Sequence, residues 1–189
     1  MNLTDAEIDR RAAAVRMILF DVDGVLTDGR VIINGDGSES KSFFIRDGIA
    51  MVWAQRAGIK VGFLSARLSS TTPHRAAQLG ITLVYHGVSS KLATYERILA
   101  DHALTDADIA YMGDDVVDLA VLNRVGLAMA PGDCVEEVRS RAHWITTVPG
   151  GSGAAREVIE RILRVQGKWD AIVDAYLNEP ADAADAHRR

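Results

Sequence analysis

The sequence predicts a doubly wound α/β domain: a Rossmann-like parallel sheet with helices on both faces. Three observations carry that prediction. Short apolar runs at Met17–Phe20, Val61–Leu64, Thr82–Tyr85, Ile109–Met112 and Leu127–Met129 have the length and near-continuous hydrophobicity of strands buried on both sides. The segments between them show helical spacing, and strands that alternate with helices pair in parallel. Gly58, Gly80 and Gly126 each stand just before a strand, where a helix ends on a residue free to turn left-handed.

Taken in order, Thr4-Asp5-Ala6-Glu7 is a capping box, so a short helix begins after Thr4 and ends before the strand at Met17. After that strand the alternation breaks. Arg30-Val31-Ile32-Ile33, Asn34-Gly35-Asp36-Gly37 and Ser38 to Phe44 read as a β-hairpin over about 30–44, built around an Asn-Gly turn. No repeat or linker follows, and 189 residues with 48% hydrophobic content suffice for one ordinary core. We expect a single domain over residues 1–177. The end of the chain, NEPADAADAHRR over 178–189, has the composition of a disordered tail.

A net charge of −5 argues against a nucleic-acid groove or an anionic membrane surface, since either needs a basic face. Partners should be small molecules or protein. The single cysteine, Cys134, has no internal disulfide partner, and no Cys/His cluster has zinc-ligand spacing. No apolar run approaches the ~20 residues that span a bilayer, and the N-terminal residues lack signal-peptide polarity. A reducing, cytoplasmic setting is expected.

A doubly wound sheet gathers its ligand at the carboxyl ends of its strands. Four polar signals fall there: Asp21 and Asp23 after the first strand, Ser65 with Arg67 after the second, Lys91 opening the helix after the third, and Gly113-Asp114-Asp115 after the fourth. Each alone is a turn, a cap or a solvated charge. Together they are what phosphoryl transfer through an aspartyl-phosphate needs. Asp21 is the candidate nucleophile, dividing one difficult displacement into two easier steps. Successive strand side chains point oppositely, so Asp23 reaches the same site only where Gly24 lets the chain bend, and it then acts as general acid and base. Repulsion between carboxylates is relieved by Mg²⁺, held by Asp21, Asp23 and Asp114 through two carboxylates, a backbone carbonyl and waters. Ser65 donates to a phosphoryl oxygen, and Lys91 neutralises the transferring group. Asp115 and Asp118 support the metal ligands or cap a helix.

With these residues placed, the sequence resembles the haloacid-dehalogenase superfamily of phosphohydrolases, whose four motifs match Asp21-x-Asp23, Ser65, Lys91 and Gly113-Asp114-Asp115. FDVDGVLTDG, the Asn-Gly-Asp-Gly hairpin, FFIRDG, GDDVVD and GGSGAAREV are similar to the branch of 3-deoxy-D-manno-octulosonate 8-phosphate phosphatases, over roughly residues 15–166. Two departures stand out: Ser65-Ala66-Arg67 where the family has Thr-Gly-Arg, and Ala50 where it has a glycine. The intervals between motifs leave no room for a cap domain. The resemblance therefore implies a homotetramer in which hairpins and a neighbour's C-terminal segment cover the site, and a role in lipopolysaccharide precursor synthesis.

Arg46 and Arg67 are candidates to hold a sugar-acid carboxylate bidentately, with a surface ion pair as the alternative for each. Asp47 contacts sugar hydroxyls or caps the following helix, the cap being preferred. Arg156, beyond Gly150-Gly151-Ser152-Gly153, is a candidate contact in a neighbour's site. Related nonulosonate 9-phosphate phosphatases tend to carry an acidic residue at the position of Arg67, which favours the octulosonate. Two alternatives remain: another sugar phosphate with the same mechanism, and a regulatory phospho-acceptor module, whose acidic pair would normally precede the phosphorylated aspartate by a β-α-β stretch. The histidines and tryptophans are assigned no chemistry.

Overall fold

The structure, a computed structural model, describes residues 3–178. Helix α1 (Asp5–Ala14) starts as its capping box dictates: the Thr4 hydroxyl accepts the Glu7 N–H, and the Glu7 carboxylate accepts the Thr4 N–H at 2.9 Å. There follow β1 (Met17–Phe20), the hairpin strands β2 (Ile32–Ile33) and β3 (Glu39–Ser40), α2 (Ile45–Arg56), β4 (Lys60–Ser65), α3 (Thr71–Gln78) and β5 (Leu83–His86). The second half runs α4 (Lys91–His102), β6 (Ile109–Met112), α5 (Leu119–Leu122), β7 (Leu127–Ala130), α6 (Glu136–Arg139), β8 (Trp144–Ile145), α7 (Ala154–Val165) and α8 (Trp169–Leu177).

Six strands form one sheet in the order β5-β4-β1-β6-β7-β8, every neighbouring pair parallel. The expected doubly wound α/β architecture is the one observed. β1 lies at the switch, paired with β4 on one side and β6 on the other, so the chain leaves it into a crevice between their carboxyl ends. Strand alternation divides the core. Ile18 and Phe20 face the layer of α1, α2 and α7, while Met17 and Leu19 face Tyr95, Ile98, Val121, Leu122 and Val138 of α4, α5 and α6. Phe20 is fully buried, and truncating it to alanine would cost about 3–5 kcal/mol.

Three details differ from the sequence reading. β8 was not expected, because two half-buried residues at a sheet edge carry no apolar run. The hairpin strands are only two residues long, and the turn closes one step late, with Gly37 at φ +81° rather than at Asn34-Gly35. The Gly37 N–H donates to the Asn34 carbonyl at 2.9 Å, and the Asp36 carboxylate braces the turn by accepting both the Ser38 N–H at 2.9 Å and the Ser38 hydroxyl at 2.6 Å. Finally, Gly58 and Gly80 are left-handed after α2 and α3, but Gly126 is not. It is needed for close approach instead: a Cβ there would sit 2.7 Å from the Ala107 carbonyl oxygen. The expected tail lies outside the described residues from 179 on; Asn178 ends α8.

Candidate active site

Asp21 extends the β1 ladder by one hydrogen bond, its N–H donating to the Met112 carbonyl at 2.9 Å. That contact fixes its carboxylate at the carboxyl edge of the sheet, only 6% exposed. Facing it is Lys91, the first residue of α4, a helix started by Ser90, whose hydroxyl accepts the Ala93 N–H at 3.2 Å. A cation at a helix N-terminus opposes the helix dipole, so other groups must hold it. They do: the Lys91 ammonium lies 2.8 Å from Asp21 Oδ1, 2.6 Å from Asp118 Oδ1 and 3.3 Å from the Tyr111 hydroxyl. Burial alone would lower the Lys91 pKa, but the charges of Asp21 and Asp118 outweigh it and the net shift is upward, so the ammonium keeps its proton.

Asp118 is fully buried and saturated with donors. Oδ1 takes Lys91 and, at 2.5 Å, the Tyr111 hydroxyl; Oδ2 takes the N–H groups of Asp114 at 3.0 Å and Asp115 at 3.3 Å. It therefore supports the loop rather than reaching into the crevice. Asp114 is different. Its Oδ1 is buried without a hydrogen-bond partner, and burial, reinforced by the charges of Asp21 and Asp118, pushes its pKa to about 8. Burial likewise raises Asp21 to about 6 against the opposing pull of Lys91. One ligand atom each from Asp21, Asp114 and Asp118 falls within a 4.8 Å group. With Asp118 committed, Asp21 and Asp114 retain the lone pairs, and an orphaned buried carboxylate oxygen beside a second carboxylate fits a hard divalent cation. The main chain is drawn tight around this point: Gly24, at φ +93°, passes so close that a Cβ would lie 2.0 Å from Asp114 Oδ2.

No family model matches the chain. The 3-deoxy-D-manno-octulosonate 8-phosphate phosphatase of Escherichia coli is 38% identical over 165 residues, which span 87% of this chain and 88% of that protein. The chain belongs to this phosphatase family. The family lies in the haloacid-dehalogenase superfamily. Among solved members, the enzyme from Yersinia pestis has a TM-score of 0.86 at 37% identity, covering 89% of this chain and 90% of its own. The member from Moraxella catarrhalis, crystallised with a magnesium ion, a phosphate ion and a KDO molecule, has a TM-score of 0.89 at 32% identity, covering 92% and 99%.

In this phosphatase-family chain the remaining predicted residues divide into two groups. Ser65 ends β4, is 2% exposed, and accepts the Arg67 N–H on its hydroxyl at 3.3 Å. Asp23 is not one of the three grouped carboxylates, and its own carboxylate pairs with Lys41 at 2.7 Å. Arg67 is half-exposed and paired with Glu39 at 2.7 Å. Asp115 caps the turn at 116–118, accepting the Val116 N–H at 2.6 Å. Arg46 is exposed and makes no ion pair with the described residues. The methyl of Ala66 introduces no left-handed strain, since Ala103 is the only non-glycine among the described residues with positive φ. Ala50 is buried in the α2 core face.

Asp47 and Arg156 meet each other. Asp47 is 2% exposed, and its Oδ1 accepts the Arg156 N–H at 2.7 Å. It does cap a helix, but the helix is α7, across the fold, rather than its own. The Arg156 guanidinium lies against Trp53 at 4.3 Å and Trp169 at 5.1 Å, two rings that meet edge-to-face, and bonds Glu160 at 3.0 Å. The sequence reading missed Lys41, whose side chain is fully buried against Asp23, and Tyr111, which joins Lys91 to Asp118. Tyr111 could have been found from its alternation on β6, one residue before Met112. Nothing local marks Lys41.

Proposed function

We propose that this chain is a Mg²⁺-dependent phosphomonoesterase that hydrolyses 3-deoxy-D-manno-octulosonate 8-phosphate to the free sugar acid and orthophosphate, through an aspartyl-phosphate on Asp21, in lipopolysaccharide precursor synthesis. The observation that carries it is the buried Asp21 carboxylate held against Lys91 with the unpartnered Asp114 oxygen beside it. The family's Moraxella member, bound to magnesium, phosphate and KDO, supports the substrate and metal.

Asp21 and Asp114, with the main-chain carbonyl of Asp23, are the residues that would hold Mg²⁺, which supplies charge neutralisation and polarisation of the phosphoryl group. Asp21 forms a bond to phosphorus as the bond to the sugar oxygen breaks, and Asp23 gives that oxygen its proton. Water then attacks phosphorus, surrenders its proton to Asp23 and frees Asp21 and orthophosphate. Lys91 balances charge on the transferring group, and the Ser65 hydroxyl donates to one of its oxygens. Arg67 and Arg46 hold the sugar-acid carboxylate.

The assembly is a homotetramer working in the cytoplasm. Exposed Ile32 and Ile33 on the hairpin, Ile45 beside Arg46, Leu68 beside Arg67, and Val116 and Val117 beside Asp115 form apolar surface that a second copy would cover. Among the described residues no helix is long and apolar enough to cross a membrane. Phosphate release from a panel of sugar phosphates, with and without Mg²⁺, tests the reading. A kcat/KM for the octulosonate ester no higher than for generic esters, or turnover independent of divalent metal, would remove it.

A further inference from the structure

The hairpin reaches the site through two charged side chains, and one of them meets the residue that recognises the substrate's acid. Glu39 on β3 pairs with the Arg67 guanidinium at 2.7 Å, and its other carboxylate oxygen accepts the buried hydroxyl of Ser69. Both donors come from the loop that follows Ser65. The Glu39 side chain is only 14% exposed, whereas Arg67 remains 47% exposed, so an internal carboxylate covers one edge of the guanidinium and leaves the rest facing solvent. One residue beyond Ser40, Lys41 anchors the same strand to Asp23. The hairpin is thereby fixed over the crevice at both ends of a three-residue stretch.

We propose that Glu39 is a specificity-determining residue: its carboxylate occupies the position on Arg67 that a substrate carboxylate takes, so an incoming sugar acid must displace it or share the guanidinium with it. This rests on the reading of Arg67 given above. A guanidinium already neutralised by one carboxylate attracts a second more weakly, and the planar fork that suits one bidentate carboxylate is partly used. Glu39 thus tempers the advantage that an acidic ligand draws from Arg67, while neutral sugar phosphates, which make no use of the guanidinium, are left unaffected.

The test is Glu39→Gln, which keeps an acceptor for Arg67 and Ser69 while removing the charge. Steady-state kinetics are compared for 3-deoxy-D-manno-octulosonate 8-phosphate and a neutral sugar phosphate such as glucose 6-phosphate, in the Mg²⁺-loaded full chain. For the acidic ester KM should fall about three- to tenfold with kcat within about twofold, and the ratio of acidic to neutral kcat/KM should rise. In an Arg67→Ala background the same substitution should leave that ratio unchanged. A ratio that stays flat or falls in Glu39→Gln, or that rises equally without Arg67, overturns the proposal. Calorimetric titration with free 3-deoxy-D-manno-octulosonate separates this from failure of the functional reading. Tighter binding to Glu39→Gln than to the parent, in a protein that does not prefer the octulosonate ester, sinks the assigned substrate alone; unchanged or weaker binding sinks the role given to Glu39.

Discussion

The Oδ2 of Asp118 accepts the main-chain N–H of Asp114 at 3.0 Å, while its Oδ1 holds Lys91 at 2.6 Å. One buried carboxylate thus sets both the loop that carries a candidate metal ligand and the ammonium that faces the candidate nucleophile, Asp21. Asp118→Asn keeps an acceptor but must offer a donor to either Lys91 or the Asp114 N–H. We expect kcat to drop about 10–100-fold and Mg²⁺ affinity to weaken with it. Near-parent values of both in a folded variant would show that Asp118 only caps the turn.

Metal binding should be coupled to protons. The Asp114 pKa is raised to about 8, so below that pH the metal-free carboxyl carries a proton that a cation must displace. Mg²⁺ affinity should therefore weaken as pH falls from 8, by up to about tenfold per unit for one released proton. Calorimetry in buffers of different ionisation enthalpy counts that proton. Affinity that is flat between pH 6 and 8 would contradict the coupling.

Asp47 should impose a pH dependence on stability. Burial raises its pKa from 3.8 to about 6, against hydrogen bonds from the Arg156 and Gly153 main chain, so the folded chain holds this proton more tightly than the unfolded chain does. The resulting penalty is absent below about pH 4, where both states are protonated. It grows as pH rises and is complete above about pH 6, reaching the order of 2–3 kcal/mol. Asp47→Asn keeps the acceptor for the Arg156 N–H and should flatten this part of the stability curve. Urea midpoints at pH 4.5, 5.5 and 7 for both proteins decide it; parallel curves would show that Asp47 does not titrate in this range.

Lys41→Met should damage turnover more than folding. The substitution preserves a buried apolar stem but leaves the Asp23 carboxylate without its partner. We expect kcat to fall about tenfold or more, because a general acid and base acts only when aimed, with KM for the ester changed less. Equal kcat in parent and variant would make the pair a hairpin anchor and nothing else.

How legible this was in the sequence depends on what each feature draws upon. β1, β6 and β7 announce themselves because both faces of each are buried, so apolar residues run unbroken; two-residue β8 and the hairpin strands lack that signal. Asp21, Ser65, Lys91 and Asp114 could be read because strand ends converge in a doubly wound sheet whatever the loop details. The division of labour could not. That Asp118 is saturated while Asp114 is orphaned depends on a Tyr111 hydroxyl and two main-chain N–H groups, and that Asp23 faces Lys41 depends on how a hairpin outside the main sheet folds back. Asp47 was readable as a cap but not as the cap of α7, because 109 residues separate it from Arg156.

The central claim is that Asp21 takes the phosphoryl group. Asp23→Asn, which lacks the proposed base for water, is mixed with the octulosonate ester and Mg²⁺, quenched in acid, and mapped by mass spectrometry of its peptides. The account predicts a phosphoryl group on the peptide carrying Asp21, lost when Asp21→Asn is added. A phosphoryl group on any other residue, or rapid phosphate release from a protein lacking the Asp21 carboxylate, would contradict it.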